Sequence, residues 1–307
     1  MRTAFLNAAA QLAQSNPDVI LMTGDLGAGA SADFVQGFPP ARLINAGISE
    51  QNMVSVAAGL ALSGKVVFVY AIANFAALRC LEHLRNNAAY HGADVKVAAA
   101  GAGAGYGAMG ATHHATEDLS ILRAMPGVTV FSPSDGEEAR LAAFAAAETP
   151  GCCYIRLSKA EDLTVLSPEA EPAKDIFRAR KIRGGGGEIC VFATGAAADQ
   201  ALEAAKAFGA PLYSFAAVKP IDRAFICRAA RMYKTILTFE ENQVQGGFGG
   251  AVSEIVAALP GDRARVCRIG FEDTFVHRTG SREWILAQYG VSAARAAEMM
   301  RAAAEES

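Results

Sequence analysis

Ser49-Glu-Gln-Asn-Met-Val-Ser-Val-Ala-Ala-Gly-Leu-Ala-Leu62 is followed, after Ser63-Gly64-Lys65, by Val66-Val-Phe-Val-Tyr-Ala-Ile72. The first run carries apolar residues at helical spacing, with Ser49 suited to cap its start and Gly64 to stop it. The second has no charge and is apolar on both faces. Strands of that kind lie in parallel sheets whose helices cover them. Asn74 can cap a further helix to about Tyr90, so helix, strand and helix follow in close order.

The same alternation extends outward. Val19–Met22 and Leu43–Ile44 read as strands before it, and Val95–Ala100, Val128–Phe131 and Cys152–Leu157 as strands after it. Helical patterns lie at about Glu117–Ala124 and Ser134–Ala147, the second opened by Ser134, Asp135, Glu137 and Glu138, an acidic start that suits a helix dipole. Charge rises and periodicity fades over Ser158–Arg183, which reads as a linker ending at the glycine run Gly184–Gly187. A second series follows, with strands at Ile189–Ala193, Pro211–Phe215, Thr235–Phe239 and Arg265–Ile269. Its helices fall at about Ala197–Phe208, Ile221–Ala230, Gly247–Leu259 and Val291–Ala304. The expected fold class is α/β, with two doubly wound, mainly parallel sheets (three-layer αβα) in tandem, residues 1–183 with the linker and 184–307.

The 307 residues, 28 basic and 31 acidic, give a net charge of −3. Such a balance has no electrostatic footprint for nucleic acid or an anionic membrane surface. A mean hydropathy of +0.20 leaves apolar surface for a partner to cover. No run has the length of a membrane helix, and Met1-Arg-Thr-Ala-Phe-Leu-Asn7 has no secretory-type apolar core. Cys80, Cys152, Cys153, Cys190, Cys227 and Cys267 form no C-x-x-C pair and read as free thiols of a cytoplasmic protein. Neither they nor the five histidines have metal-ligand spacing, so no metal-binding residue is expected.

Two stretches invite chemistry. Gly105, Gly107 and Gly110 form a G-x-G-x-x-G after the Val95–Ala100 run. A dinucleotide site uses such glycines at a domain's first strand, running straight into a helix. This one follows several strands and runs into Ala111-Thr-His-His-Ala-Thr116, which argues against nicotinamide or flavin. Glu50 sits at a helix start in apolar surroundings. It can serve the helix dipole, or it can be a buried acid that donates to a ring nitrogen, since burial favours the protonated form of such groups.

Several motifs occur in one order: Gly24-Asp-Leu-Gly27, Gly47-Ile-Ser-Glu-Gln-Asn52, Val67–Phe75 with Arg79 and Cys80-Leu-Glu-His-Leu-Arg85, Gly110-Ala-Thr-His-His-Ala-Thr-Glu-Asp-Leu119, and Val130-Phe-Ser-Pro-Ser-Asp135. Together they resemble the pyrimidine-binding domain of the transketolase family. Lys219-Pro-Ile-Asp222 and Phe239-Glu-Glu-Asn-Gln-Val-Gln-Gly-Gly-Phe-Gly-Gly250 are similar to that family's C-terminal domain. The likeness spans nearly the whole chain and is closest to the C-terminal subunit of a transketolase split into two chains.

The resemblance implies thiamine-diphosphate chemistry in a C–C bond transferase. Glu50 would contact N1′ of the aminopyrimidine and favour the tautomer that deprotonates the thiazolium. Phe75 would stack on the ring, with Ile72 where a second aromatic is common, and Arg79 beside them. Plain core packing is the bland reading of Phe75. His113 would face the reacting carbonyl as a proton shuttle or oxyanion partner, while His114 replaces a usual Gln. Departures concern the substrate end. Met109 stands where the family has an Asp that reads a donor hydroxyl, and Gly101 where it has a phosphate-contacting His. Lys159 replaces a phosphate-binding Arg, keeping charge but losing the bidentate fork, and Arg156 is a second candidate. A less hydroxylated ketone, a 2-oxoacid or another anionic group is expected as donor or acceptor.

The family's diphosphate- and Mg²⁺-holding motif does not occur in the sequence. An N-terminal partner subunit is therefore expected to hold that end of the cofactor, in an α2β2 heterotetramer that covers apolar surface around Ile48–Gly59 and Ala71–Ala77. Two other readings stay open: the beta subunit of a 2-oxoacid dehydrogenase-type decarboxylase, and a non-catalytic partner chain.

Overall fold

The computed structural model describes residues 1–24, 37–159 and 165–305. Asp25, Leu26 and Gly27 of the first motif lie outside the described residues. In chain order the first unit contains α1 (Arg2–Ser15), β1 (Val19–Thr23), β2 (Leu43–Asn45), α2 (Glu50–Leu62) and β3 (Val66–Ile72). A helical stretch follows, with a single α turn, α3 (Leu81–His83), between π-helical segments at Asn74–Arg79 and Leu84–Ala89. Then come β4 (Val95–Ala100), α4 (Asp118–Ala124), β5 (Val128–Phe131), α5 (Gly136–Glu148) and β6 (Cys152–Leu157).

The second unit contains β7 (Arg180–Arg183), β8 (Ile189–Ala193), α6 (Ala198–Phe208), β9 (Leu212–Ser214), β10 (Ala217–Lys219), α7 (Arg223–Met232) and β11 (Thr235–Gln243). It ends with α8 (Phe248–Ala257), β12 (Arg265–Phe271), α9 (Arg282–Gln288) and α10 (Ala293–Glu305).

The sheets have the orders β10-β5-β6-β4-β3-β1-β2 and β12-β11-β8-β9-β7. Both are parallel except at one edge, where β10 pairs antiparallel with β5 and β7 antiparallel with β9. The α/β expectation of two mainly parallel sheets therefore holds. Two details differ. Arg180–Arg183, the end of the expected linker, forms the edge strand of the second sheet. The strand expected at Pro211–Phe215 appears as β9, while β10 is a further short strand, not expected from the sequence, that pairs at the edge of the first sheet. The units are thus stitched by backbone pairing, not only by side chains.

Successive residues of β3 point to opposite faces. Val67, Val69 and Ala71 enter a core with α2 and with Phe192, Phe215 and Phe248 of the second unit. Phe68 and Tyr70 enter a core with α1 and α5. The far face of the second sheet packs on α6, α9 and α10. Asp135 caps α5 by accepting from Glu138 N at 3.0 Å, as the acidic start anticipates. Ser49 does not cap α2 through its side chain, because its Oγ donates to Ala46 O at 2.7 Å. Asn74 does not act as a cap either, and its Nδ2 reaches His114 O at 2.6 Å.

Arg180 joins the edge strand β7 to α5, pairing with Asp135 at 2.8 Å, with Glu137 at 2.7 Å and with Glu138 at 3.5 Å. Burial, with Asp135 nearby, pushes the Glu138 carboxyl from 4.5 up to about 7. The folded chain keeps that proton to higher pH than the unfolded chain. Its contribution to stability is complete below the unfolded value and is lost as pH rises through about 7. The slope from this one group is at most ~1.4 kcal/mol per pH unit. Glu138→Gln should flatten the fall in stability between pH 5 and 7 in urea titrations, and an unchanged slope would disprove the assignment.

Candidate active site

In open parallel sheets, ligands bind beyond the carboxyl ends of the strands. The expected residues follow such ends: Glu50 comes after β2, Phe75 and Arg79 after β3, and His113 after β4. Glu50 opens α2 and is 5% exposed. Its Oε2 accepts from Arg79 Nη1 at 2.7 Å. The Arg79 guanidinium lies 4.1 Å from the centroid of the Phe75 ring. Phe75 also meets the His113 ring edge-on, with centroids 5.2 Å apart. Glu50, Arg79, Phe75 and His113 therefore form one continuous row. The π-helical segment Asn74–Arg79 makes this possible, since a widened turn re-aims side chains relative to an ordinary helix. Ile72 ends β3 and is half-buried there.

His113 is oriented from behind by Thr112, whose Oγ1 lies 3.0 Å from Nδ1. That engagement leaves Nε2 as the nitrogen available to a bound molecule. His114 turns away into a pocket of about 440 Å³ lined by Asn74, Leu78, Thr116, Glu117 and Phe275 among others. It is 3% exposed, and neither ring nitrogen has a hydrogen-bond partner of good geometry. Burial holds it below the ordinary imidazole value, although the Gly107 and Tyr106 carbonyls pull the other way. His114 is thus a wall residue of a neighbouring pocket and does not join the row.

The substrate-end residues are placed unequally. Met109 stands 53% exposed at the tip of the glycine loop. Gly101 has φ +70°, and a Cβ there would meet Tyr106 Cε2 at 2.0 Å. The Tyr106 ring therefore takes the space of any side chain at position 101. Lys159 lies with Nζ 4.5 Å from the Tyr106 centroid, and the same ring lies 6.2 Å from His113. Tyr106 links the two, and the sequence motifs do not point to it. Its one signal is being the sole aromatic in a run of glycine and alanine.

Arg156 lies in the interior and is not a surface-facing substrate contact. Expected as a candidate substrate contact, it is 3% exposed and committed to the interior. Its Nε and Nη2 reach the two oxygens of Asp118 at 2.8 and 3.1 Å. Nη2 also donates to Ala115 O at 3.0 Å and Glu241 O at 2.8 Å. Asp118 additionally accepts from Tyr154 Oη at 2.6 Å. Among the described residues, no group of three or more His, Cys, Asp or Glu is gathered to hold a metal ion.

The chain matches two family models, "Transketolase, pyrimidine binding domain" over residues 1–162 and "Transketolase, C-terminal domain" over residues 178–295. It is 31% identical to one of the subunits of an apulose-4-phosphate transketolase of Phocaeicola vulgatus, over 94% of this chain and 93% of that protein. It is also 31% identical to a 6-deoxy-6-sulfo-D-fructose transketolase subunit of a Clostridium species, over 99% and 94%. A solved structure described as a split gene transketolase, an inactive beta4 tetramer, superposes with a TM-score of 0.85. That protein is 34% identical, with 98% of this chain and 97% of the other covered.

Truncating Arg156 strands the Asp118 carboxylate. Breaking a buried pair from one side costs about 3–5 kcal/mol. Arg156→Met should lower unfolding free energy by that amount in denaturant titrations, and a loss below about 1 kcal/mol, the scale of a surface pair, would contradict the placement.

Proposed function

The chain belongs to the transketolase family, and from that premise we propose that it is the pyrimidine-binding subunit of a split, thiamine-diphosphate-dependent transferase. It moves a two-carbon ketol or acyl unit between small carbonyl compounds. The observation that carries the proposal is the row Glu50–Arg79–Phe75–His113, which brings a buried carboxyl group, an aromatic ring and an imidazole into successive contact.

The residues fit the aminopyrimidine end of the cofactor. Arg79 already presents a planar N–H donor that bonds to Glu50 and lies on Phe75. A flat, nitrogen-bearing ring can make the same two contacts, with Arg79 swung outward, where 42% of its side chain is already exposed. Ile72, half-buried at the end of β3, would add an apolar side chain beside the ring. When bound, thiamine diphosphate supplies the electron sink for breaking a C–C bond beside a carbonyl. Glu50 holds a hydrogen bond at a ring nitrogen and controls its protonation. Phe75 fixes the ring plane. His113, held at Nδ1 by Thr112, exchanges a proton with a substrate oxygen through Nε2.

The diphosphate and Mg²⁺ end falls to an N-terminal partner subunit, in an α2β2 heterotetramer in the cytoplasm. Ile48 (78% exposed), Val56 and Leu62 leave apolar surface on and beside α2 for such a partner. The second stretch expected to face the partner is different, since Ala71, Ala73, Ala76 and Ala77 are buried within the chain's own core. Met109 offers no hydroxyl reader, and position 101 is filled by Tyr106. Lys159 and Tyr106 present one cation beside an aromatic wall. This mouth suits a donor or acceptor other than an ordinary ketose phosphate.

Co-expression with the diphosphate-binding chain should yield a complex that binds thiamine diphosphate, whereas this chain alone should not bind it tightly. Glu50→Ala in the complex should abolish turnover, and full turnover would defeat the mechanism. Met109→Asp should raise kcat/KM for hydroxylated ketose donors by about tenfold, the scale of one net hydrogen bond, measured against the unsubstituted complex.

A further inference from the structure

The loop that carries Met109 and His113 is gripped by the second unit, and the grip is charged and buried. Gly103 and Ala115 pair across the base of the loop, with Gly103 N donating to Ala115 O at 2.9 Å and Ala115 N to Gly103 O at 3.1 Å. The carboxyl end of β11 holds both sides of that base. Glu241 Oε2 accepts from Ala104 N at 3.3 Å. Gln243 N donates to Thr116 O at 2.7 Å, and Asn242 Oδ1 accepts from Leu119 N at 3.2 Å. Glu241 is 1% exposed and is fixed by Arg282, whose Nε reaches Oε1 at 2.7 Å and whose Nη2 reaches the same oxygen. Arg282 is held in turn by Asp199 at 2.7 Å and by Ala196 O at 2.9 Å.

The glycines of the loop record the same contact. Gly103 has φ +63°, and a Cβ there would meet Glu241 Oε2 at 2.5 Å. A Cβ at Gly107 would meet Gly280 O at 2.6 Å, and Gly280 N donates to Gly107 O at 3.3 Å. At both positions the missing side chain is what lets the second unit approach.

We infer that Glu241 and Arg282 are positioning residues: they set the place of the loop between Gly103 and Thr116 and, through it, of His113 and Met109, without touching substrate. The consequence for catalysis rests on the function proposed above, while the hold on the loop does not. Glu50 and Phe75 stand on α2 and on the π-helical segment, outside the grip. Loss of the grip therefore affects turnover and not cofactor binding. A displacement of about 1 Å at a reacting group costs on the order of 100-fold in rate.

The test uses Arg282→Met, Arg282→Lys and the double variant E241Q/R282M, which removes both charges together. Thiamine diphosphate affinity and steady-state rates are read in the two-subunit complex, and amide hydrogen exchange of the loop in the full chain. Arg282→Met should lower kcat by about 100-fold, leave the cofactor Kd within about twofold, and speed exchange at Ala104 and its neighbours. Arg282→Lys should recover part of both. The double variant should regain thermal stability yet keep the low kcat and fast exchange. Unchanged loop exchange, a double variant with restored turnover, or a cofactor affinity that falls as far as kcat would each overturn the inference. Full turnover of Glu50→Ala would instead defeat the function reading, leaving the exchange result to decide the loop.

Discussion

The Asp118–Arg156 pair is the constraint on which the rest of the structure depends. Neither side chain is more than 3% exposed. A charge so placed is tolerable only with its partner and a full set of hydrogen bonds. Tyr154 Oη, Ala115 O and Glu241 O complete that set. The acceptors come from the loop base and from β11, so satisfying one guanidinium fixes strand β6, helix α4, the loop base and the second unit relative to one another. A non-polar replacement of the same shape could be as stable. It would not specify one mutual arrangement of the two sheets through bonds of fixed direction.

The glycine loop shows how a sequence pattern can serve packing while imitating a binding motif. A G-x-G-x-x-G brings backbone close to a pyrophosphate in dinucleotide folds. Here Gly107 brings backbone close to Gly280, and Gly103 does the same for Glu241. The requirement in both cases is space for close approach, and the approaching group differs. The position of the run after β4, instead of after a first strand, is the feature that separates the two readings.

Much of the fold is legible because the central strands are short, mostly apolar runs, broken by charge only at Lys96 and Arg156. Val66–Ile72, Val95–Ala100, Val128–Phe131 and Cys152–Leu157 appear with the expected bounds. Helix α1 is not legible, since its buried face includes Ala8, Ala9, Ala10 and Ala13 and gives little contrast with its exposed face. Strands β7 and β10 are short, and their sheet membership comes from pairing partners distant in sequence. The π-helical segments replace the one regular helix expected after β3, because hydrophobic spacing does not resolve a single inserted residue per turn. At the site, Glu50, Phe75 and His113 can be read from motifs. Glu241 cannot, since its bond to Ala104 spans 137 residues and local pattern carries no trace of it.

These placements divide the labour of the site in an unexpected way. On the proposed function, the groups that would meet the cofactor ring, Glu50 and Phe75, stand on α2 and on the π-helical segment after β3 and, among the described residues, make no bond to β11. The groups suited to the substrate, His113 and Met109, ride on a loop whose base is held from β11 and α9. Tyr106 lies in the same loop, packs over Gly101 and meets Lys159. On that reading a change of substrate needs no change at Glu50 or Phe75. It needs only a new loop sequence that still fits beneath Glu241 and Gly280, and the proposed roles of Gly101 and Met109 are compatible with an unchanged Glu50, Phe75 and His113.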